Sequence, residues 1–430
     1  MNPVLRTYLE PYYKMHKGMV IHWHRQEASD TLYYRKEGEG AWTTVSSSTK
    51  AFPLRSETIH YVVLDNLDSD QGYEFRFEGE DDGDIRLFKT LPARLNRTIR
   101  YSVISDHQQR TDITGSGYIS LLSRIGTINS DFAVWNGDYI MCWGNITDSV
   151  NTTAWASLID TWSEYLVDSN GYHIPLLGMT GNHEVWPPVR QIDPESVPQR
   201  PVNPPNFLRL FFYTGWDDSN PRSHDGYSFI NAGNYMALFQ MDTDHNQSVY
   251  DQTEWLKEMY ATLGNRYRYV VPILHMIPFP PVRSFNMVEQ PAPYDVGYRV
   301  VVEELRQNWH PMWQKFGARF VSVGHDHALC VSPRINVNPA NPQGHVDEEN
   351  YESLIYCGSG ACHPSTVRTV QQAAEWWIDQ AESTANFWSY TIEAEKMTAI
   401  AYRTDGTTFG FREQTVKNIA YGKPRLALAA

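Results

Sequence analysis

Phe320-Val321-Ser322-Val323-Gly324-His325-Asp326-His327 is a four-residue, largely apolar run that stops at a glycine and then delivers two imidazoles into a polar loop. Its shortness, its two valines and the glycine that bounds it mark a buried strand and not a helix. Working outward, the same pattern recurs. Residues 99–105 lead into Asp106-His107-Gln108, and 132–135 lead into Asn136-Gly137-Asp138. Residues 174–179 lead into Gly181-Asn182-His183-Glu184, 269–274 lead into His275, and 354–356 form a further apolar run. Helix-period positions lie between several of these runs: Leu158/Trp162/Leu166, Trp255/Met259 and Val301/Leu305/Trp309/Trp313. The alternation predicts a layered α/β domain whose strands carry loops at their carboxyl ends, where open sheets place ligands.

The chain before residue 96 reads differently. Tyr73-Glu74-Phe75-Arg76-Phe77-Glu78 alternates aromatic and charged residues, and Met19, Ile21 and Trp23 share one face of another strand. Runs 31–36 and 58–64 add two more, separated by turn signals such as Glu37-Gly38-Glu39-Gly40 and Asp81-Asp82-Gly83-Asp84. This spacing predicts an all-β sandwich over 1–95, followed by the α/β domain over 96–430. His22 and His24 share a strand face, but no third ligand stands at a fitting spacing, so they read as structural.

The whole chain has 430 residues, with 36 Lys+Arg against 50 Asp+Glu and a net charge of −14. Hydrophobic residues at 41% and charged residues at 20% exclude a disordered polyampholyte. The acidic balance excludes a general nucleic-acid binder, although bound metals would reverse the local sign for an anionic substrate. Four cysteines cannot form a disulfide framework. Cys357 and Cys362 are close enough to pair, yet buried thiols are the first expectation. Sequons stand at Asn96, Asn145, Asn151 and Asn246. No apolar run of ~18 residues predicts a membrane span, and Met1-Asn2-Pro3-Val4-Leu5-Arg6 does not start a signal peptide. The protein is expected in the cytoplasm, or outside it or in the periplasm if a leader has been removed. Residues 187–205 read as a Pro-rich surface excursion, and 367–388, with Trp376 and Trp377, as an amphipathic helix.

What carries chemistry is the set of Asp, Asn and His side chains at successive strand ends. One Asp after a strand is usually a helix cap and one His is usually structural, but five such loops in order point to a metal centre. Two divalent ions ~3.5–4 Å apart would repel by roughly 19 kcal/mol at an effective dielectric of 20, so an anionic oxygen must lie between them. Asp138 fits that place, because Gly137 lets the chain turn tightly before it. Asp106 would then serve one ion and Asn182 the other, while His275, His325 and His327 offer imidazoles suited to Zn, Fe or Mn. Two cations against two aspartates leave a positive centre that attracts phosphate and acidifies water. His183 follows a ligand directly and can face the substrate as a proton donor. An HExxH zinc-protease motif is absent, since His183-Glu184 continues as Val185-Trp186-Pro187.

In this combination the blocks resemble the calcineurin-like metallophosphoesterases, whose pattern runs D-x-H, G-D, G-N-H-[ED], H and G-H-x-H. Order and spacing agree over about 220 residues. The preceding β-domain looks most like that of the purple acid phosphatase branch, with echoes in Tyr227-Ser228-Phe229, Phe239-Gln240-Met241-Asp242 and the helix opened by Gln252-Thr253-Glu254. The resemblance implies a fibronectin type III-like sandwich and then a four-layer α/β/β/α core, a β-sandwich flanked by helices. It implies two metals: Asp106, Asp138 and His327 on the first, and Asp138, Asn182, His275 and His325 on the second. The implied activity is hydrolysis of a small phosphate monoester by a hydroxide that the two metals activate, with Asp138 and His183 as the catalytic pair. A phosphodiesterase or nucleotidase with the same core is the alternative within that class, and an inactive binding or adhesion module is the alternative outside it. Neither nucleic-acid nor membrane binding is implied.

This sequence departs from the family pattern twice. Purple acid phosphatases carry a ligand tyrosine three residues after the bridging aspartate, and Met141 stands there, a poor donor to a ferric ion. Gln108 occupies the place where many relatives have His; its carbonyl oxygen is a harder donor and keeps it among the expected ligands. Strand parity points neighbouring His107 away, although a substrate-facing role remains open for it. Beyond His275 the chain offers Arg283, a candidate phosphate clamp, then Tyr294 and Arg299. Glu184 is expected to orient His183 or a ligand, and Trp143, Trp186 and Tyr298 are candidate cleft walls.

Overall fold

The computed structural model describes residues 2–52, 54–141, 149–184, 226–243, 245, 247–264, 266–283, 293–338 and 340–415. The Pro-rich stretch 187–205, Cys142, Trp143, Trp186, Asn145 and Asn246 lie outside them, as do the side chains of Tyr294 and Tyr298.

Eight strands come first: β1 (Arg6–Pro11), β2 (Met19–Arg25), β3 (Thr31–Lys36), β4 (Thr43–Ser46), β5 (Ser48–Ala51), β6 (Thr58–Leu64), β7 (Gly72–Phe77) and β8 (Arg86–Lys89). They form two four-stranded sheets, ordered β1-β2-β6-β5 and β4-β3-β7-β8. Ile21, Trp23, Leu32, Val62, Phe75, Phe77 and Phe88 fill the space between them. Every residue of β2 is buried, because this strand has apolar neighbours on both faces. Its Met19/Ile21/Trp23 face meets the second sheet, while His22 stacks on Tyr8 with ring centres 4.6 Å apart. His22 Nε2 lies 3.3 Å from Glu10 Oε2, and His24 Nδ1 lies 3.5 Å from Glu57 Oε1.

The remaining elements are β9 (Ile99–Ile104), α1 (Ser116–Thr127), β10 (Phe132–Trp135), α2 (Ser149–Tyr165), β11 (Leu176–Gly178), β12 (Ser228–Ala232), β13 (Met236–Met241), α3 (Val249–Leu263), β14 (Tyr269–Leu274), α4 (Pro293–Glu304) and α5 (His310–Phe316). A π-helical turn, Leu305–Trp309, joins α4 to α5. Then follow β15 (Phe320–Val323), β16 (Leu329–Val331), β17 (Ile335–Asn338), β18 (Asn341–Val346), β19 (Ile355–Ser359), β20 (Gln380–Glu382), β21 (Asn386–Ile392), β22 (Lys396–Arg403) and β23 (Thr408–Thr415). One sheet has the order β11-β10-β9-β21-β22-β23, and the other β12-β13-β14-β15-β19-β16-β20.

Three cores separate four layers. Tyr101, Val103, Val134, Leu177, Leu238, Val271, Ile273 and Trp388 lie between the sheets. Ile104, Ala133 and Trp135 on the outer face of the first sheet pack against Leu121 and Ile125 of α1 and Trp155, Leu158 and Trp162 of α2. Phe239, Leu274, Val321 and Val323 on the outer face of the second pack against Leu256 of α3, Val302 of α4 and Trp313 of α5. Strands β9, β10 and β11 run parallel, and so do β13, β14, β15 and β19. Their carboxyl ends therefore converge on one rim. Both faces of these strands are covered, which is why they read as continuous apolar runs.

The N-terminal sheets do not stand apart. Tyr8, Phe52 and Ile59 belong to the same core as Trp162 of α2. Arg6 pairs with buried Glu57 and, at 2.7 Å, with Asp160 of α2, and Thr7 N donates to Ser163 Oγ at 2.6 Å. His22 and His24 thus lie on this seam.

Residues 367–388 correct the sequence expectation, for no helix forms there. A 3₁₀ turn at Pro364–Thr366 gives way to loop, then to β20 and the start of β21. The donors that a helix would satisfy internally go elsewhere: Gln371 and Gln372 N to Pro281 O, and Asp379 N to Val331 O. Trp377 is buried and donates its indole N–H to Pro280 O at 3.1 Å. Long-range contacts outweigh a short helical period interrupted by Thr366, Val367, Thr369 and Val370. Cys330, Cys357 and Cys362 are buried free thiols. Asn96 is exposed, whereas Asn151 is buried, so its sequon is inaccessible in the folded chain. No helix among the described residues is long and apolar enough to cross a membrane.

Candidate metal centre

The loops that leave β9, β10, β11, β14 and β15 meet at the common rim. Gly137 has φ of 82°, and a Cβ on it would lie 2.6 Å from His275 Nδ1. A Cβ on Gly181 would fall 2.2 Å from Asp138 Oδ1. Both positions require glycine so that the loops can touch. Among described residues other than glycine, eight have positive φ, and four of them are Asp106 (57°), Gln108 (51°), Asp138 (55°) and His325 (68°). Left-handed backbone costs on the order of 1 kcal/mol per residue, and its concentration here marks a site built against local preference.

Two groups of ligand atoms form, each with its members within 4.8 Å of one another: Asp106, Asp138 and His327, and Asp138, His275 and His325. Asp138 belongs to both. Asp106 Oδ2 accepts from Ser105 Oγ at 2.5 Å and from His325 N at 2.9 Å. Its Oδ1 has no hydrogen-bond donor among the described residues and lies 3.4 Å from His327 Nε2. Asp138 Oδ1 accepts from His183 N at 2.9 Å, while its Oδ2 lies 3.3 Å from His275 Nε2. Asn182 Oδ1 is 2.8 Å from His325 Nδ1 and 3.2 Å from His275 Nε2. The Gln108 amide end is 2.6 Å from Asp138 Oδ2 and 3.0 Å from His327 Nε2.

Backbone carbonyls set the imidazole tautomers. His275 Nδ1 donates to Asn136 O and His327 Nδ1 to Thr366 O, both at 2.7 Å. Each leaves Nε2 turned toward the cluster, the nitrogen that a ligating histidine would use once it has given up any proton there. Burial opposes the Asp138 charge, but His275 and His183 hold its carboxyl well below the usual range. For His275, burial works against protonation, and the Asp138 carboxylate overrides it and raises the imidazole to about 9. The gap between them is a place for positive charge. An orphaned carboxylate oxygen, a shared aspartate and two correctly turned imidazoles together fit a pair of divalent ions.

His183 is 6% exposed, the most open member of the set, with Nε2 3.9 Å from Asp138 Oδ2. Burial lowers its pKa, with Asp138 opposing. Glu184 accepts the N–H groups of Asp138, Tyr139 and Gly181, each at 2.8 Å. It fastens the second and third loops together. Burial and then the Asp138 charge push its carboxyl up to about 8, against those donors.

Two expected substrate contacts are placed elsewhere. The His107 ring packs on Tyr118, 4.4 Å between centres, and on His363 at 5.1 Å. It is fully buried on the helix side of the sheet, where burial and then His363 lower it to about 3. Arg283 Nη1 donates to Asp326 Oδ1 at 2.6 Å and to His325 O at 3.0 Å, so it braces the last loop from the side. Arg299 pairs with Glu303 along its own helix. Met141 is half-buried. The sequence reading misses Thr366 and the loop after β13, where Thr243 Oγ1 accepts from Met276 N at 3.1 Å and the His245 ring lies 5.6 Å from His275. Asp242-Thr243, standing after an apolar run, was the available signal for that loop.

Two apposed sheets with helices outside thus carry this ligand set on the rim where their parallel strands end. No protein-family model matches the chain. Purple acid phosphatase 23 of Arabidopsis thaliana is 22% identical over 376 residues, 80% of this chain and 74% of that protein. Purple acid phosphatase PPD1 from yellow lupin (Lupinus luteus) seeds superposes with a TM-score of 0.66 at 13% identity, covering 99% of this chain and 77% of the other. PhoD gives 0.61 at 13% identity, covering 96% and 93%. The chain shares the fold of these two structures.

Proposed function

We propose that the protein is a metal-dependent phosphohydrolase that cleaves small phosphate monoesters. The observation that carries this reading is the pair of ligand groups sharing Asp138. Asp106, Gln108, Asp138 and His327 would hold one ion, and Asp138, Asn182, His275 and His325 the other. When bound, the ions supply Lewis-acid charge to phosphate oxygens and acidify water.

The chain's own residues do the rest. Asp138 would lie between the two positive charges, and Glu184 fixes its backbone. Asn136 and Thr366 carbonyls hold His275 and His327 with Nε2 inward. His183, the most open of the set, would pass a proton to the departing alcohol. A division of the chain near residue 95, with a fibronectin type III-like sandwich before it, belongs to the same reading; its support is that the eight strands within 6–89 make up two four-stranded sheets of their own, joined to the later chain by a single bridge from a strand, Leu87 to Tyr172, among the described residues.

Turnover of p-nitrophenyl phosphate, bis-p-nitrophenyl phosphate and a nucleoside monophosphate by the metal-loaded protein tests the proposal. Preference for the two monoesters is expected, and turnover of the bis-ester alone would replace the monoester assignment by a diesterase. An inactive binding module predicts no turnover of any of them.

A further inference from the structure

We infer that Arg368 sets a substrate preference, selecting phosphate monoesters whose alcohol portion carries a second oxyanion, a carboxylate or a further phosphate. The inference rests on the phosphohydrolase reading proposed above and adds to it a contact outside the metal centre.

The chain that leaves β19 turns at Pro364–Thr366 and is tied to the first and last loops of the rim. Thr366 Oγ1 donates to Asp106 O at 3.0 Å, and Thr366 O accepts from His327 Nδ1 at 2.7 Å. Arg368 N then donates to His327 O at 2.8 Å. Before the turn, His363 Nε2 lies 3.6 Å from Asp112 Oδ2, in the loop that begins with Asp106. After it, Gln371 and Gln372 N both donate to Pro281 O, in the loop that begins with His275. Arg368 thus stands on a stretch held from both sides, with its backbone bonded to a candidate ligand histidine. A stretch already ordered loses little further freedom when one of its side chains binds.

The guanidinium is uncommitted. Arg368 is exposed, and among the described residues its side chain has neither a hydrogen bond nor an ion pair. Two other arginines near these loops are committed: Arg283 to Asp326 and His325 O, and Arg306 to Pro278 O. The chain carries a net charge of −14, so its general field repels an anionic substrate, and a free cation at the rim offsets that locally. The two ions and His183 would serve the reacting phosphate. Arg368, outside the buried ligand set, is left for a group beyond the ester oxygen. Its parallel N–H donors match a carboxylate or phosphate as a bidentate pair, and a neutral alcohol offers them no such partner.

Three esters test this with the metal-loaded protein, by release of inorganic phosphate: 4-carbamoylphenyl phosphate as the neutral reference, 4-carboxyphenyl phosphate and 4-(phosphonomethyl)phenyl phosphate. Wild type should favour at least one anionic ester over the reference by about tenfold in kcat/KM, chiefly through KM. The larger gain tells a carboxylate preference from a phosphate preference. Arg368→Gln should bring both ratios to about one. Arg368→Lys should keep part of the gain, since it retains the charge without the fork. Each ratio is taken within one protein, so a partial loss of metal cancels from it. Ratios near one in wild type, or equal ratios in wild type and Arg368→Gln, overturn the inference. No turnover of any of the three esters by wild type overturns the hydrolase reading beneath it.

Discussion

Asp106 Oδ2 accepts the backbone N–H of His325 at 2.9 Å, although 219 residues separate the two. The bond closes the ring of loops: the first strand end and the last are held together by the carboxylate that also faces the metal position. Asp106→Ala should therefore remove a ligand and this closure together. Elemental analysis should show bound metal dropping from two ions to one or none, with p-nitrophenyl phosphate turnover falling by roughly 10³-fold or more. Unchanged metal content would show that Asp106 is only a loop tie.

Glu184 touches no metal position among the described contacts, yet it accepts three backbone N–H groups from the two loops around Asp138. Glu184→Gln replaces one acceptor oxygen by a donor and sets it against an N–H. Metal affinity should weaken by about 10–100-fold, the usual cost of disturbing a ligand's support, while near-ultraviolet circular dichroism stays native. Calorimetric titration with Mn²⁺ and Zn²⁺ measures it, and equal affinities would remove the positioning role.

Metal binding should release protons. His275 is held near 9 by Asp138, against burial, so at pH 7 an imidazole without a cation beside it carries a proton that ligation must displace. Titration in two buffers of different ionisation enthalpy should report about one proton released per chain on this account. Affinity should fall as pH drops from 7 to 5. A pH-independent affinity would contradict the assignment of His275.

Acid should destabilise the fold through imidazoles distant from the metal. Burial lowers His24 to about 4 and His310 to about 3, and both are fully buried. These groups stay neutral in the folded chain but protonate in the unfolded chain below about 6.5. The unfolded state then binds more protons, so stability is full above about 6.5 and declines as pH falls toward the folded values. By pH 5 the loss is roughly 2 kcal/mol for each group. Urea unfolding at pH 7 and pH 5 checks this, and His310→Gln should show the smaller decline.

The seam under α2 makes its own prediction. Arg6 meets buried Glu57 and Asp160, and Tyr8 lies 6.2 Å from Trp162 between ring centres. Arg6→Ala should cost roughly 2 kcal/mol, because Glu57 loses one charged partner and keeps Arg55 at 3.1 Å, measured by urea unfolding. Arg6→Ala combined with Glu57→Gln should recover part of that loss; no recovery would place the effect outside the pair.

Much of the architecture is legible in the sequence because the decisive strands are buried on both faces. Runs such as 132–135 and 269–274 can hardly be anything else, and the ligand types at their ends give the site. Other features depend on contacts that no local period encodes. Trp377 looks helical in its own segment but is taken by Pro280 O, from a loop 97 residues earlier. Arg283 reads as a phosphate clamp until Asp326 is found beside it. Glu184 is legible as important, but its three N–H partners lie on two loops. His107 does turn away from Asp106, but the strand ends at Ile104, and it is the left-handed backbone at Asp106 and Gln108 and packing on Tyr118 that place it.

One carboxylate, Asp138, should stand between two cations. Crystals grown with Mn²⁺ and Zn²⁺, with diffraction recorded on either side of each metal's absorption edge, measure it directly. Two anomalous peaks per chain are expected to flank the Asp138 carboxylate, one toward Asp106 and His327 and the other toward His275 and His325. A single peak, or peaks remote from Asp138, would contradict it.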